Sequence, residues 1–134
     1  MYRPKIGKDI RCPLEYGLSV FGGKWRSRII CVLTDGALRY SALRREMTDI
    51  SDPVLAAALK ELMDEGMVER RQFEEIPPRV EYSLSEKGRS AVPILKSICR
   101  WSGAYYREDN ANEPAKCRRC DYSGGAMKDG SVRK

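Results

Sequence analysis

Two strand-like runs flank a charged, proline-bearing tip in MVERRQFEEIPPRVEYSL, residues 67–84, and they follow directly on two short helical patterns. Val80, Tyr82 and Leu84 alternate with polar residues as a half-buried strand does, while Pro77 and Pro78 forbid one continuous strand. A two-stranded hairpin is only marginally stable alone, so this one must pack on the helices before it. Its tip, with Arg70, Arg71 and Arg79 in or near it, then projects beside those helices as a wing. A plain surface hairpin is the competing reading.

The helices come from RYSALRREMTDISDPVLAAALKELMDEG. Ser41 is the expected N-cap of a short helix with Leu43 and Met47 on its apolar side, and TDI breaks it. Ser51 or Asp52 caps a second helix, with Pro53 in its first turn, Leu55, Leu59 and Leu62 on one face and Gly66 at its end. Two short helices joined by a tight turn describe a helix-turn-helix. Upstream, CPLEYGLSVFGG reads as a helix opened by Pro13 and closed by Gly22 and Gly23. KWRSRIICVLTDG reads as an amphipathic helix with Trp25, Ile29 and Leu33 inward and Lys24, Arg26 and Arg28 in solvent.

After Ser85, Ala91, Ile94, Leu95, Ile98, Trp101 and Tyr105 form a stripe at helical spacing, and Pro93 is expected to start or kink that helix. A stripe this long and aromatic, with little chain left to cover it, suggests a dimer interface; intramolecular core is the alternative. The chain therefore divides into a basic arm (1–11), a winged domain with dimerisation helices (12–108) and a polar tail expected to be mobile (109–134). The fold class is α+β, mostly α: a winged helix-turn-helix with a two-stranded wing and an additional C-terminal helix.

With 134 residues the chain suits one domain. No histidine occurs, which removes His-based acid–base catalysis, Ser-His and Cys-His nucleophiles and most catalytic zinc sites. No phosphate-binding glycine loop is present either, so an enzyme is not expected and no cofactor is assigned. No run nears the roughly 20 apolar residues that cross a bilayer, and no signal-peptide core follows the N-terminus, so a cytoplasmic, nucleoid-associated protein without a membrane partner is expected. The net charge of +6 favours a polyanionic partner, nucleic acid first.

The ordered elements CP, GGKW, RYSAL, DIS, LKELMDEG and PPRVEYSLSEKG, with PIL and Trp101 after them, resemble the HxlR-type winged helix-turn-helix regulators of bacteria, MarR-like in architecture. The resemblance runs from about Cys12 to Trp101. It implies a homodimer held by its first and last helices, here through Leu14, Leu18, Ile94, Ile98, Trp101 and Tyr105. It also implies pseudo-palindromic double-stranded operator DNA as the partner, with repression or activation of nearby genes. Half-sites about one helical turn apart would receive one recognition helix each. The outward face of that helix is Pro53, Ala56, Ala57, Lys60 and Asp64, preceded by Ser51 and Asp52. Where the family commonly places Lys, Thr or Gln, this chain has small apolar residues. Ala can touch a thymine methyl and Asp can accept from cytosine N4. Phosphate contacts are then expected from Lys24, Arg26, Arg39, Arg44, Arg45, Lys60 and Arg79, with Ser41 beside them.

Five cysteines are scattered without a disulfide framework. Cys12 begins the first helix, where it faces unpaired N–H groups beside Lys8 and Arg11, a setting that favours reaction with a small oxidant or electrophile. Its position matches the N-terminal cysteine by which some members of the family sense such signals; a cysteine that only packs is the alternative. Cys31 is expected in the core; Cys99 would approach its symmetry mate only if the last helix forms the dimer interface, and that approach is the minor reading. Cys117 and Cys120 are weak metal or redox-pair candidates, since one pair cannot complete a tetrahedral site. Two other function classes compete: a winged-helix module for protein–protein contact with weak non-specific DNA binding, and an oxidoreductase working through Cys117 and Cys120, which no thioredoxin-like unit supports.

Overall fold

The computed structural model describes residues 10–105. Most of the basic arm and all of the 109–134 tail, with Cys117 and Cys120, lie outside the described residues. Two compact units are present, one ending at Arg89 and one beginning at Ser90.

The first unit opens with α1 (Pro13–Phe21), which has Cys12 at its N-cap and Pro13 at its first position, where a missing N–H costs nothing. The Cys12 carbonyl accepts from the Glu15 and Tyr16 amides at 3.0 and 3.3 Å. Helix α2 (Arg26–Val32) tightens into a single 3₁₀ turn, Leu33–Asp35. Strand β1 (Leu38–Arg39) leads into α3 (Tyr40–Glu46), and α4 (Asp52–Asp64) follows after a turn. Ser51 caps α4, its hydroxyl accepting from the Val54 amide at 3.4 Å. Gly66, at φ 78°, ends the helix region in the left-handed conformation that glycine adopts without steric cost.

Strands β2 (Val68–Phe73) and β3 (Arg79–Leu84) form the wing. They pair antiparallel from Val68↔Leu84 to Phe73↔Arg79. The sheet has three strands, in the order β1-β3-β2, because Leu38 and Arg39 pair with Tyr82 and Glu81. Strand β1 supplies the third strand from only two residues, too few for alternation to reveal. The core between helices and sheet is built on Ile29, Ile30, Leu33, Leu43, Met47, Leu55 and Leu62, all fully buried. Each contributes about 1.5–3 kcal/mol relative to exposure.

Helix α5 (Glu86–Tyr105) starts in the first unit and makes up the described part of the second. The Ser85 hydroxyl accepts from the Gly88 amide at 3.0 Å and itself donates toward the Gly66 carbonyl at 2.6 Å, so it caps α5 and ties it to the end of α4. Two expectations change. Helix α3 starts at Tyr40, with Arg39 at the N-cap, so Ser41 stands inside the first turn and caps nothing. Pro93 does not start the last helix, which begins seven residues earlier at Glu86 and carries the proline inside. Ala91 and Leu95 are buried, whereas Ile94, Ile98, Trp101 and Tyr105 are exposed.

Candidate nucleic-acid interface

Helices α3 and α4 form the helix-turn-helix. Leu55, Leu59 and Leu62 of α4 face the core, with Ala58 buried beside them. Ser51, Asp52, Pro53, Ala56, Ala57 and Lys60 are all exposed, so the residues expected to face outward do so. Lys60 is joined to Asp64 one turn on, at 3.3 Å.

One oxygen of the Asp52 carboxylate is already engaged, while the side chain stays 67% exposed. Arg44 Nε donates to its Oδ1 at 2.6 Å and the Tyr40 hydroxyl donates to the same oxygen at 3.1 Å. Arg44 also donates to the Met47 carbonyl, so it bridges α3, the turn and α4. Burial, the hydrogen bond to Asp52 and that residue's negative charge together raise the Tyr40 pKa above its ordinary value of 10.0. Tyr40 thus remains a proton donor, and the clasp joins α3 to the start of α4.

The basic residues expected at phosphates separate into two groups. Arg39 and Arg45 are exposed, and Lys24 is exposed with its ammonium 4.9 Å from the Trp25 ring. Arg26 is different: its side chain is only 19% exposed and its guanidinium donates to Glu61 of α4 and to the Ser19 and Val20 carbonyls of α1. It was expected in solvent, but the approach of α1 to α4 folds it inward. Arg28 stacks on Trp25 at 4.9 Å and pairs with Asp49 at 2.9 Å.

Arg79 also turns back on its own wing. It lies 3.9 Å over the Phe73 ring and pairs with Glu75 at 2.9 Å and Glu81 at 3.4 Å. Phe73 is its cross-strand partner, which brings ring and guanidinium face to face. A side chain so engaged does not reach out from the tip.

A shallow cleft of about 400 Å³ opens beside α4 between Gly23, Lys24, Trp25, Val54, Ala57 and Glu61. Cys12 is exposed, and Arg11 next to it is paired with Glu15 at 3.3 Å. Cys31, expected in the core, and Cys99 are half-buried. Among the described residues no group of three or more His, Cys, Asp or Glu side chains is placed to hold a metal ion, and no helix is long and apolar enough to cross a membrane. Sequence reasoning missed Tyr40 and Glu61, and the one available signal was the position of Tyr40 beside Ser41 at the helix start.

Known proteins agree with this geometry. The model of the HxlR-like helix-turn-helix family matches residues 20–110. An uncharacterized HTH-type transcriptional regulator of Methanothermobacter thermautotrophicus is 41% identical over 105 residues, which are 78% of this chain and 80% of that protein. The redox regulator HypR in its oxidised form superposes with a TM-score of 0.66 at 36% identity, over 72% of this chain and 100% of that one. The reduced form of the transcriptional regulator YodB from Bacillus subtilis gives 0.67 at 34%, over 72% and 95%. The chain belongs to the HxlR-like helix-turn-helix family and is a transcriptional regulator that binds DNA, not an enzyme.

Proposed function

We propose that the protein acts as a homodimer on a pseudo-palindromic operator, placing one α4 in each of two major-groove half-sites. The observation that carries this reading is the division of α4: Leu55, Leu59 and Leu62 are buried, while Ser51, Pro53, Ala56, Ala57 and Lys60 stand exposed along its first half. With Asp52 held by Arg44, base contact falls to Ser51 and to the small residues, which suit thymine methyl groups. Lys24, Arg39 and Arg45 are free to meet phosphates, with Ser41 beside them on α3. The dimer is assigned to exposed Leu14 and Leu18 on α1 and to Ile94, Ile98, Trp101 and Tyr105 on α5. The winged domain spans 12–108, between the arm and the tail.

Cys12 is the proposed site of a redox or electrophile signal. Its exposure at the N-cap of α1 supports this, as does the likeness to regulators whose structures are of oxidised and reduced forms. Oxidation or alkylation there would alter the dimer geometry and so the spacing of the two α4 helices. A Cys12→Ala protein whose DNA binding still responds to diamide like the wild type would exclude Cys12 as the sensor.

Fluorescence anisotropy with the DNA upstream of the protein's own gene, against a scrambled duplex over a salt series, tests operator binding. Tight binding to the first and far weaker binding to the second is expected. Equal, salt-labile binding to both would favour a protein–protein docking role for the small-residue face of α4, the reading that Pro53, Ala56 and Ala57 otherwise invite.

A further inference from the structure

The two faces of the wing carry different chemistry. The register places Val68, Arg70 and Gln72 on one face with Leu84, Tyr82 and Val80, and Glu69, Arg71 and Phe73 on the other with Ser83, Glu81 and Arg79. Val68 and Leu84 are buried, so the first face is the one turned toward the helices. Leu38 of β1 stands beside Tyr82 on that same face, and β2 packs along α4. Arg70 therefore stands on the helix-facing side of the wing, two residues beyond buried Val68 and across from Tyr82, on the edge strand of the sheet. It is exposed, and among the described residues its guanidinium has no hydrogen bond, ion pair or ring contact.

Arg79 sits on the opposite face with both terminal nitrogens on carboxylates, its plane against Phe73 and its Nε buried. To grip a phosphate it would have to abandon two carboxylates and a ring.

Resting on the DNA-binding reading above, we infer that Arg70, not Arg79, is the wing's phosphate-binding residue. A duplex seated on α4 lies in the angle between that helix and the inner face of the wing, which is the side from which Arg70 projects. Arg79 is a brace: it holds the outer face of the wing rigid through Phe73, Glu75 and Glu81, so that Arg70 is presented at a fixed distance from the helix.

The test is a salt titration of binding to a labelled duplex of mixed sequence by wild type, Arg70→Gln, Arg79→Gln and Arg79→Lys, with a thermal midpoint for each. Arg70→Gln is expected to reduce the slope of log K against log salt by about 0.9 per protomer, the loss of one phosphate contact, with an unchanged midpoint. Arg79→Gln is expected to lower the midpoint while the folded protein keeps the wild-type slope, and Arg79→Lys, should the first variant not fold, to do the same more mildly. A wild-type slope in Arg70→Gln, or a slope loss in either Arg79 variant at constant fold, would overturn the assignment. A wild-type protein with no salt-dependent binding would instead overturn the DNA-binding reading and this inference with it.

Discussion

Arg26 at the start of α2 and Glu61 on α4 close on one another: Nε and Nη2 of the arginine lie 3.0 and 2.9 Å from a single oxygen of the glutamate. The remaining terminal nitrogen donates to the Ser19 and Val20 carbonyls in the last turn of α1, where Ser19 also accepts from the Gly22 amide. One side chain thus fastens α1 to α4. One turn further along, Glu65 accepts from the Tyr16 hydroxyl at 3.4 Å, and Lys87 donates to Tyr16 and to the Glu65 carbonyl.

Arg26→Gln is therefore expected to act on stability and not on phosphate contact. Loss of the charged hydrogen bonds costs about 1–2 kcal/mol, seen as a thermal midpoint lower by on the order of 4–8 °C per kcal/mol. The salt slope of DNA binding should stay at the wild-type value, while Lys24→Gln should reduce it. A salt titration of both variants separates the two roles.

Replacing Asp52 by Asn keeps its shape but removes a negative charge from the DNA-facing end of α4. Arg44, its charge no longer neutralised by the 2.6 Å partner, attracts phosphate more strongly. Tighter binding with a steeper salt dependence is expected, by about one ion per protomer. Anisotropy over a salt series reads both, and weaker binding would mean that the clasp matters more for positioning than Asp52 costs in repulsion.

Tyr40 gives a pH dependence whose sign follows from its raised pKa. The unfolded phenol ionises first, so the contribution is complete below the ordinary value and is lost as pH rises through the higher folded one. Chemical denaturation at about pH 9 and about pH 11 should show a larger loss for wild type than for Tyr40→Phe.

At Gly88 a Cβ would collide with the Met67 carbonyl oxygen, which leaves no room for any side chain where α5 crosses the start of β2. Gly88→Ala is expected to cost about 3 kcal/mol in urea denaturation, since backbone must shift to admit it. Removing the Ser51 cap with Ser51→Ala should cost less, about 1 kcal/mol.

Trp101 is 68% exposed and Tyr105 74%, their rings 5.6 Å apart on α5. Ile98→Glu with Trp101→Glu should leave the helix content by circular dichroism intact and shift sedimentation from dimer to monomer. An unchanged sedimentation coefficient would move the interface elsewhere.

The sequence made legible what periodicity and local chemistry encode. Leu55, Leu59 and Leu62 repeat at helical spacing, Ser51 and Pro13 sit at helix starts, and Val80, Tyr82 and Leu84 alternate, so α1, α4 and the wing could be read directly. The partners of Arg26, Asp52 and Arg79 could not. Glu61 lies 35 residues from Arg26, and a pair that distant exists only once α1, α2 and α4 are packed. For Arg79, proximity to two prolines marks a tip, but cross-strand pairing with Phe73 decides where its side chain lies. A two-residue strand such as β1 has too little pattern to announce itself.

Selection from a pool of random duplexes by the purified protein tests the central claim most directly, because it presumes no operator. The expected result is one enriched motif with two-fold symmetry, its half-sites about one helical turn apart, that is lost when Ala57→Glu places a charge on the exposed face of α4. A pool that remains random through successive rounds, with wild type and Ala57→Glu retaining DNA equally, would contradict sequence-specific recognition by this helix.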